Sequence, residues 1–454
     1  MAKENSRRRT RREAAGSSGQ DLRFRRPRQV DFPLQILTIV MLCFGLVMLF
    51  SASMSEAYAD RGSTSYYLIR QSLFTVIGIV AIILLSFWPL KRLINPTLAI
   101  GLYLVVTFLL ILTLTPFGVE IYGQRRWLPA GIMNLTFQPS ELAKIAVIYC
   151  GAAYFTWLRE QRGQDKLPWG KTAGGIIGRD FFFDFGIPLI AVTIWCLIIS
   201  QQSHMSAVLI LLLLTFFMLL SAGISRRSWF VAVSLGLVIV LLLTLIFLVF
   251  RKPILEAIAG NPRLDHLIQR FNIFTGSDLA TADDSYQSDQ ALIAIGSGGW
   301  TGVGLGQGRQ KANYLPEAHN DYIYSIICEE LGFAGGAVVI LLFLAFFLRG
   351  IYIALNTTTL TGQMLASGYS VLIALQAFLS IAVNLKVFFP TGISLPFFSY
   401  GGTSNLFFMI AVGLLLNVSK FGTTLNSREE GAGAAREERP LPSTHRQRAG
   451  GEPS

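Results

Sequence analysis

The chain has 454 residues, 52% of them hydrophobic and only 14% charged, and carries a net charge of +11. Soluble proteins hold about 25% charged residues, so this composition excludes a soluble enzyme, a disordered chain and a disulfide scaffold, and weighs against a nucleic-acid binder. Length alone suggests about three domains of roughly 150 residues, but 33 Phe and long apolar runs make lipid the solvent.

The chain opens with a basic tail. Residues 1–33 hold ten Lys or Arg, mostly in Arg7–Arg12 and Arg23–Arg28. Such blocks are usually solvated tails drawn to anionic lipid. The tail is too long and too polar for the charged end of a cleavable signal peptide. The apolar run after it is long enough to span, so it is read as a retained first helix.

A bilayer-spanning helix needs about 20 apolar residues. Ten runs qualify: 34–54, 69–88, 95–115, 139–158, 185–200, 204–222, 229–250, 322–348, 364–385 and 402–419. The fifth and sixth flank polar Ser200–Ser206 and read as two spans or one broken hairpin. With the N-terminus in the cytoplasm, 26 Lys and Arg fall on the cytoplasmic side and 11 on the other, six of those in one long loop. By the positive-inside rule both termini are cytoplasmic. The expected fold is an all-α integral membrane protein with a membrane domain over 34–420. A large extracytoplasmic loop, 251–321, joins the seventh and eighth spans, and a disordered tail covers 421–454. Long ordered loops tend to carry function. The four cysteines, Cys43, Cys150, Cys196 and Cys328, lie in apolar runs and read as small hydrophobes. The histidines have no metal-ligand spacing, so no metal site is visible.

Several polar residues sit where an apolar span meets the expected outer face. Glu317, His319 and Asp321 close the long loop. Asp321 reads either as a helix-cap acid or as a base for a membrane-anchored substrate. Upstream, the glycines of 296–308 precede Arg309 and Lys311. They satisfy neither GxGxxG nor a P-loop, and read either as a tight turn or as a phosphate cradle. Glu141 and Lys144 are spaced to pair within the fourth span. Glu329 and Glu330 lie inside the eighth. Intramembrane charges are functional candidates by default, with a structural ion pair as the alternative. Gly401, Gly402, Thr403 and Ser404 open the last span as a plain cap or as an anion-binding helix start.

The ordered stretches Arg126-Trp127, Gln138-Pro-Ser-Glu-Leu-Ala-Lys144, Ala294–Gly306, Leu315-Pro-Glu-Ala-His-Asn-Asp321, Glu329-Glu-Leu-Gly332 and Leu395–Ser404 resemble the SEDS family of RodA/FtsW-type proteins. The resemblance covers about 34–420, and the Pro-Glu-Ala-His form is closer to the division branch. It implies a peptidoglycan glycosyltransferase in the bacterial cytoplasmic membrane, at the division septum, that polymerises lipid II and releases undecaprenyl pyrophosphate. A class B penicillin-binding protein is the implied transpeptidase partner, alongside other division proteins and membrane lipids. The family's essential acid falls on Asp321, and its other motif positions fall on Arg126, Glu141, Lys144 and Glu317. Asn320, Ser203-His204 and Thr391 depart from common family residues, which bears on the branch. Mg²⁺ or Mn²⁺ is implied by the family and by pyrophosphate chemistry. Arg126, Lys144, Arg309 and Lys311 are the cations expected near the leaving group. A lipid flippase and a non-catalytic division scaffold are the rival readings.

Overall fold

A computed structural model describes residues 30–88, 95–121, 124–129, 136–164, 178–202, 204–249, 282–312, 314–388, 390 and 392–421. The basic tail to residue 29, residues 251–281 of the long loop, Ser203, Thr391 and the tail from 422 lie outside the described residues.

The chain is mostly helical. The helices are α1 (Phe32–Arg61), α2 (Tyr66–Phe87), α3 (Pro96–Thr113), α4 (Pro139–Gly163), α5 (Ile187–Gln201), α6 (Met205–Ser221), α7 (Arg226–Val249), α8 (Ala282–Ser297), α9 (Ile323–Leu355), α10 (Leu360–Asn384) and α11 (Thr403–Phe421). A π-turn, Phe182–Gly186, leads into α5. Each of the ten apolar runs falls on a helix. Among the described residues, seven segments are long and apolar enough to cross a membrane: α1, α2, α3, Gly178–Gln201, α9, α10 and α11.

Local chemistry sets the helix ends. Asp31 caps α1, its carboxylate accepting from Leu34 N at 3.0 Å, with Pro33 in the first turn. Asn95 caps α3 ahead of Pro96, and Thr359 caps α10. Short polar side chains satisfy the orphan N–H groups at these positions, and proline lacks one to satisfy.

The strictly all-α expectation needs one correction. Strands β1 (Val119–Ile121), β2 (Gln124–Pro129) and β3 (Thr136–Phe137) form an antiparallel sheet in the order β1-β2-β3. The β-branched and aromatic residues here suit strands, and Glu120 pairs across the strands with Arg125 at 3.2 Å. Within the long loop lies one of the helices, α8.

The centre of the bundle is α10 and α11, whose most apolar windows are 67% buried; α2 and α3, at 22%, form the rim. The stripe Ile69, Leu73, Val76, Val80, Leu84 on α2 is exposed, as lipid-facing residues are. Small residues let central backbones approach: a Cβ on Gly350 of α9 would lie 1.8 Å from Ser370 Oγ of α10. At one end of the bundle Asp31 takes two bonds from Arg349, at 2.8 and 3.0 Å, and its N–H donates to Ser419 Oγ. The start of α1 and the end of α11 therefore meet.

Helix α9 is interrupted at Gly332, with φ +68° and ψ −168°. An interruption at this depth needs its freed backbone groups satisfied by protein. The glycine-rich segment does so. Phe333 and Ala334 N–H donate to the carbonyls of Gly299 and Trp300, and Val303 and Gly304 N–H donate to those of Glu329 and Glu330. The close approach requires glycine: a Cβ at Gly302, φ +80°, would lie 2.1 Å from the Glu330 carbonyl oxygen.

Candidate active site

The opposite end of the bundle gathers several of the motifs singled out in the sequence into one region. The C-terminal ends of α1 and α10 meet the N-terminal ends of α2, α9 and α11 around the turn 314–322.

That turn is tightly held. Glu317 has φ +55°, a conformation that costs a non-glycine residue roughly 1 kcal/mol or more and persists where the surroundings fix it. Asn320 N–H closes the turn on Glu317 O at 3.0 Å, and the Asn320 side-chain amide donates to the Glu317 carboxylate. Tyr322, not Asp321, occupies the cap position of α9. Asp321 is half-buried. Its main-chain carbonyl accepts from Asn384 Nδ2 at 2.8 Å. Asn384 is fully buried and also donates to Ser380 O, while its Oδ1 accepts from Ser325 N and Ser325 Oγ. Gly392, φ +65°, presents its backbone to the acid, and a Cβ there would lie 3.1 Å from Asp321 Oδ2.

The segment before α11 clamps the same turn. Tyr400 N–H donates to His319 O at 2.9 Å, and Ser399 Oγ donates to Asn320 O at 2.6 Å. Asn405 steadies this segment by accepting from Phe397 N and donating to Ser399 O. His319 is buried between Tyr67, 4.4 Å between ring centres, and Tyr400, 5.7 Å. Its Nδ1 lies 2.9 Å from Glu56 Oε2 at the end of α1. Burial pushes the Tyr400 phenol up from its ordinary pKa, with the Arg70 guanidinium pulling it back.

The sheet and α4 flank this turn. Arg126, on β2, donates from Nε to Gln202 O at 3.1 Å, and Gln202 in turn bonds Leu110 O and Thr113 Oγ1 at the end of α3. Thr403, the first residue of α11, reaches Thr136 O on β3 at 3.4 Å. Gly402 backs onto the Phe74 ring, and Ser404 Oγ bonds Gly401 O at 3.0 Å. Glu141 and Lys144 pair as expected at 2.7 Å, both buried, and Lys144 also donates to Gln376 Oε1 at 2.8 Å.

The glycine-rich segment resolves differently from a phosphate cradle. Its N–H groups point at carboxylates of the chain itself. Arg309 and Gln310 N–H donate to Glu329 at 2.7 and 3.2 Å, and Gly306 N–H donates to Glu330 at 3.1 Å. Lys311, expected to face a pyrophosphate, is instead 5% exposed and paired with Glu330. Ser51 of α1 bonds both partners. A fixed anion inside the fold attracts the same donors that a phosphate would.

The sequence reading did not single out Glu56, Tyr67, Asn384, Gln376 or Ser51. An acid near the end of the first run, and amides inside the ninth, were the available signals: polar groups in a span need partners.

The chain matches the family described as "Cell cycle protein", with the FtsW, RodA and SpoVE proteins in its label, over residues 33–424. A relative from Geobacter sp. (strain M18), named probable peptidoglycan glycosyltransferase FtsW, is 33% identical over 399 residues, covering 87% of this chain and 98% of the relative. One of the same name from Thioalkalivibrio sulfidiphilus is 35% identical over 419 residues, covering 90% and 94%. Among solved structures, one described as "Structural coordination of polymerization and crosslinking by a peptidoglycan synthase complex" aligns with TM-score 0.64 at 24% identity, covering 86% of this chain and 97% of that one. The rod shape determining protein RodA of Thermus thermophilus aligns with TM-score 0.56 at 24% identity, covering 86% and 96%. This chain belongs to the FtsW/RodA/SpoVE family and has its membrane fold.

Proposed function

We propose that this protein is a peptidoglycan glycosyltransferase that polymerises lipid II, acting at the division septum with a class B penicillin-binding protein. The relatives' names support the activity and the division branch. The likeness to the peptidoglycan synthase complex supports the fold such a pairing uses. A ten-span topology with cytoplasmic termini is supported by the ten helical runs and by the meeting of Asp31 with Ser419. It places the turn 314–322 at the outer face.

The observation that carries the mechanism is the positioning of Asp321 by Asn384 and Gly392 at the end of the bundle. The oxygen of a GlcNAc 4-hydroxyl attacks the anomeric carbon of the donor, and its proton passes to Asp321. The bond from that carbon to the pyrophosphate oxygen breaks, and undecaprenyl pyrophosphate leaves with the electron pair. One displacement inverts the anomeric centre and needs no covalent intermediate, as in inverting hydrolases. The pyrophosphate leaves as a stabilised anion, so a base on the attacking hydroxyl is the one proton-transfer group required. Arg126, and the start of α11 opened by Gly401 and Gly402, are the groups suited to the leaving group's charge. A divalent cation, when bound, adds neutralisation of the pyrophosphate.

The test is polymerisation of labelled lipid II by purified protein with its transpeptidase partner. Glycan strands from wild type and none from folded Asp321→Asn support the reading. Transport of lipid II without strand synthesis would make the protein a flippase. Full strand synthesis by the variant would remove Asp321 as base.

A further inference from the structure

We infer that Glu56, Glu317 and His319 form a divalent-cation site whose donor set suits Mn²⁺ better than Mg²⁺. One donor atom from each residue lies within 4.8 Å of the others. Ligands bound to one ion at about 2.0–2.4 Å can be separated by at most about twice that length, so the three atoms fit one ion with little side-chain movement.

A second observation points to a ligand. His319 Nδ1 is buried, its side chain 3% exposed, and has no hydrogen-bond partner although Glu56 Oε2 lies only 2.9 Å away. A buried ring nitrogen left without a hydrogen bond beside a carboxylate oxygen is an arrangement that a cation shared by the two would complete. The ring cannot swing aside, because Tyr67 and Tyr400 pack against it and Tyr400 N–H holds its main chain. Glu317 reaches the cluster through its left-handed backbone, and Asn320 orients its carboxylate. Ligands held by neighbouring hydrogen bonds in this way are typical of metal sites.

The donor chemistry narrows the ion. Mg²⁺ prefers oxygen in strict octahedral geometry, whereas an imidazole beside two carboxylates suits a divalent transition ion, Mn²⁺ among them. Glu56 extends the site to α1, 261 positions before Glu317 in the chain. An ion here would tie α1 to the turn that carries Asp321. The site itself does not depend on the glycosyltransferase reading; only its use does.

The experiment uses full-length protein in detergent, stripped with a chelator and titrated with Mn²⁺ by electron paramagnetic resonance. One bound ion, showing coupling to an imidazole nitrogen, is expected. Glu56→Gln and His319→Ala should weaken binding at least tenfold, and His319→Ala should remove the nitrogen coupling. Asp321→Asn should bind as wild type does, and Mg²⁺ should compete poorly. Melting temperature with and without Mn²⁺ gives an independent readout: wild type should rise and Glu56→Gln should not. No bound ion in wild type, or binding untouched by Glu56→Gln and His319→Ala, would leave a plain His–Glu ion pair and overturn the site. Loss of binding in Asp321→Asn would move the ion onto that residue and overturn it as well. Bound Mn²⁺ without strand synthesis would keep the site and sink the enzymatic reading, and strands without a bound ion would do the reverse.

Discussion

The side-chain amide of Asn384 donates to the main-chain carbonyl of Asp321 at 2.8 Å, while its oxygen accepts two bonds from Ser325. One buried residue at the end of α10 thus joins the acid to the first turn of α9. Replacing it with Leu leaves several buried groups unpaired, at about 1–3 kcal/mol each. Asn384→Leu should lower lipid II polymerisation at least tenfold and lower the melting temperature. An unchanged rate would show that Asp321 is placed by other contacts.

Lys311 and Glu330 are buried together. Removing one partner of a buried pair costs about 3–5 kcal/mol, because the other charge is stranded. Lys311→Met should therefore express poorly and melt early. The double variant Lys311→Met, Glu330→Gln removes the stranded charge and keeps an acceptor for Gly306 N–H, so it should recover most of the loss. Equal damage in single and double variants would mean that Lys311 acts elsewhere.

Two glycines that both have positive φ should behave differently. Gly62, φ +67°, has open space where a Cβ would go, whereas at Gly302, φ +80°, a Cβ would strike the Glu330 carbonyl at 2.1 Å. Gly62→Ala should cost about 1–2 kcal/mol, the left-handed backbone penalty alone. Gly302→Ala should fail to accumulate as folded protein, read by size-exclusion chromatography of the detergent extract. Comparable yields from both would place the glycine-rich segment farther from α9.

The helices were legible because the membrane demands runs of about 20 apolar residues, a signal no other environment imposes. The Glu141–Lys144 pair was legible because its partners are three residues apart on one helix. The strands β1 to β3, two to six residues long, were too short to show alternation. Lys311 was misread because a lysine beside glycines looks the same whether it faces a phosphate or a glutamate. The choice was made by Glu330, nineteen positions on, and only once Gly332 breaks α9 and exposes carbonyls for the glycine-rich segment to bind. Glu56 was missed for a related reason: its neighbour His319 is far away in the chain, and nothing local marks the approach.

The fastening of the glycine-rich segment to α9 has a mechanical side. Peeling that segment away would strand Glu329 and Glu330, 2% and 0% exposed, without the N–H groups and the lysine that now surround them. Such a joint cannot loosen bond by bond, since each released contact leaves more uncompensated charge behind. These contacts favour release together rather than singly, and they tie the segment that follows α8 to the first turns of α9, with Asp321 just ahead of them.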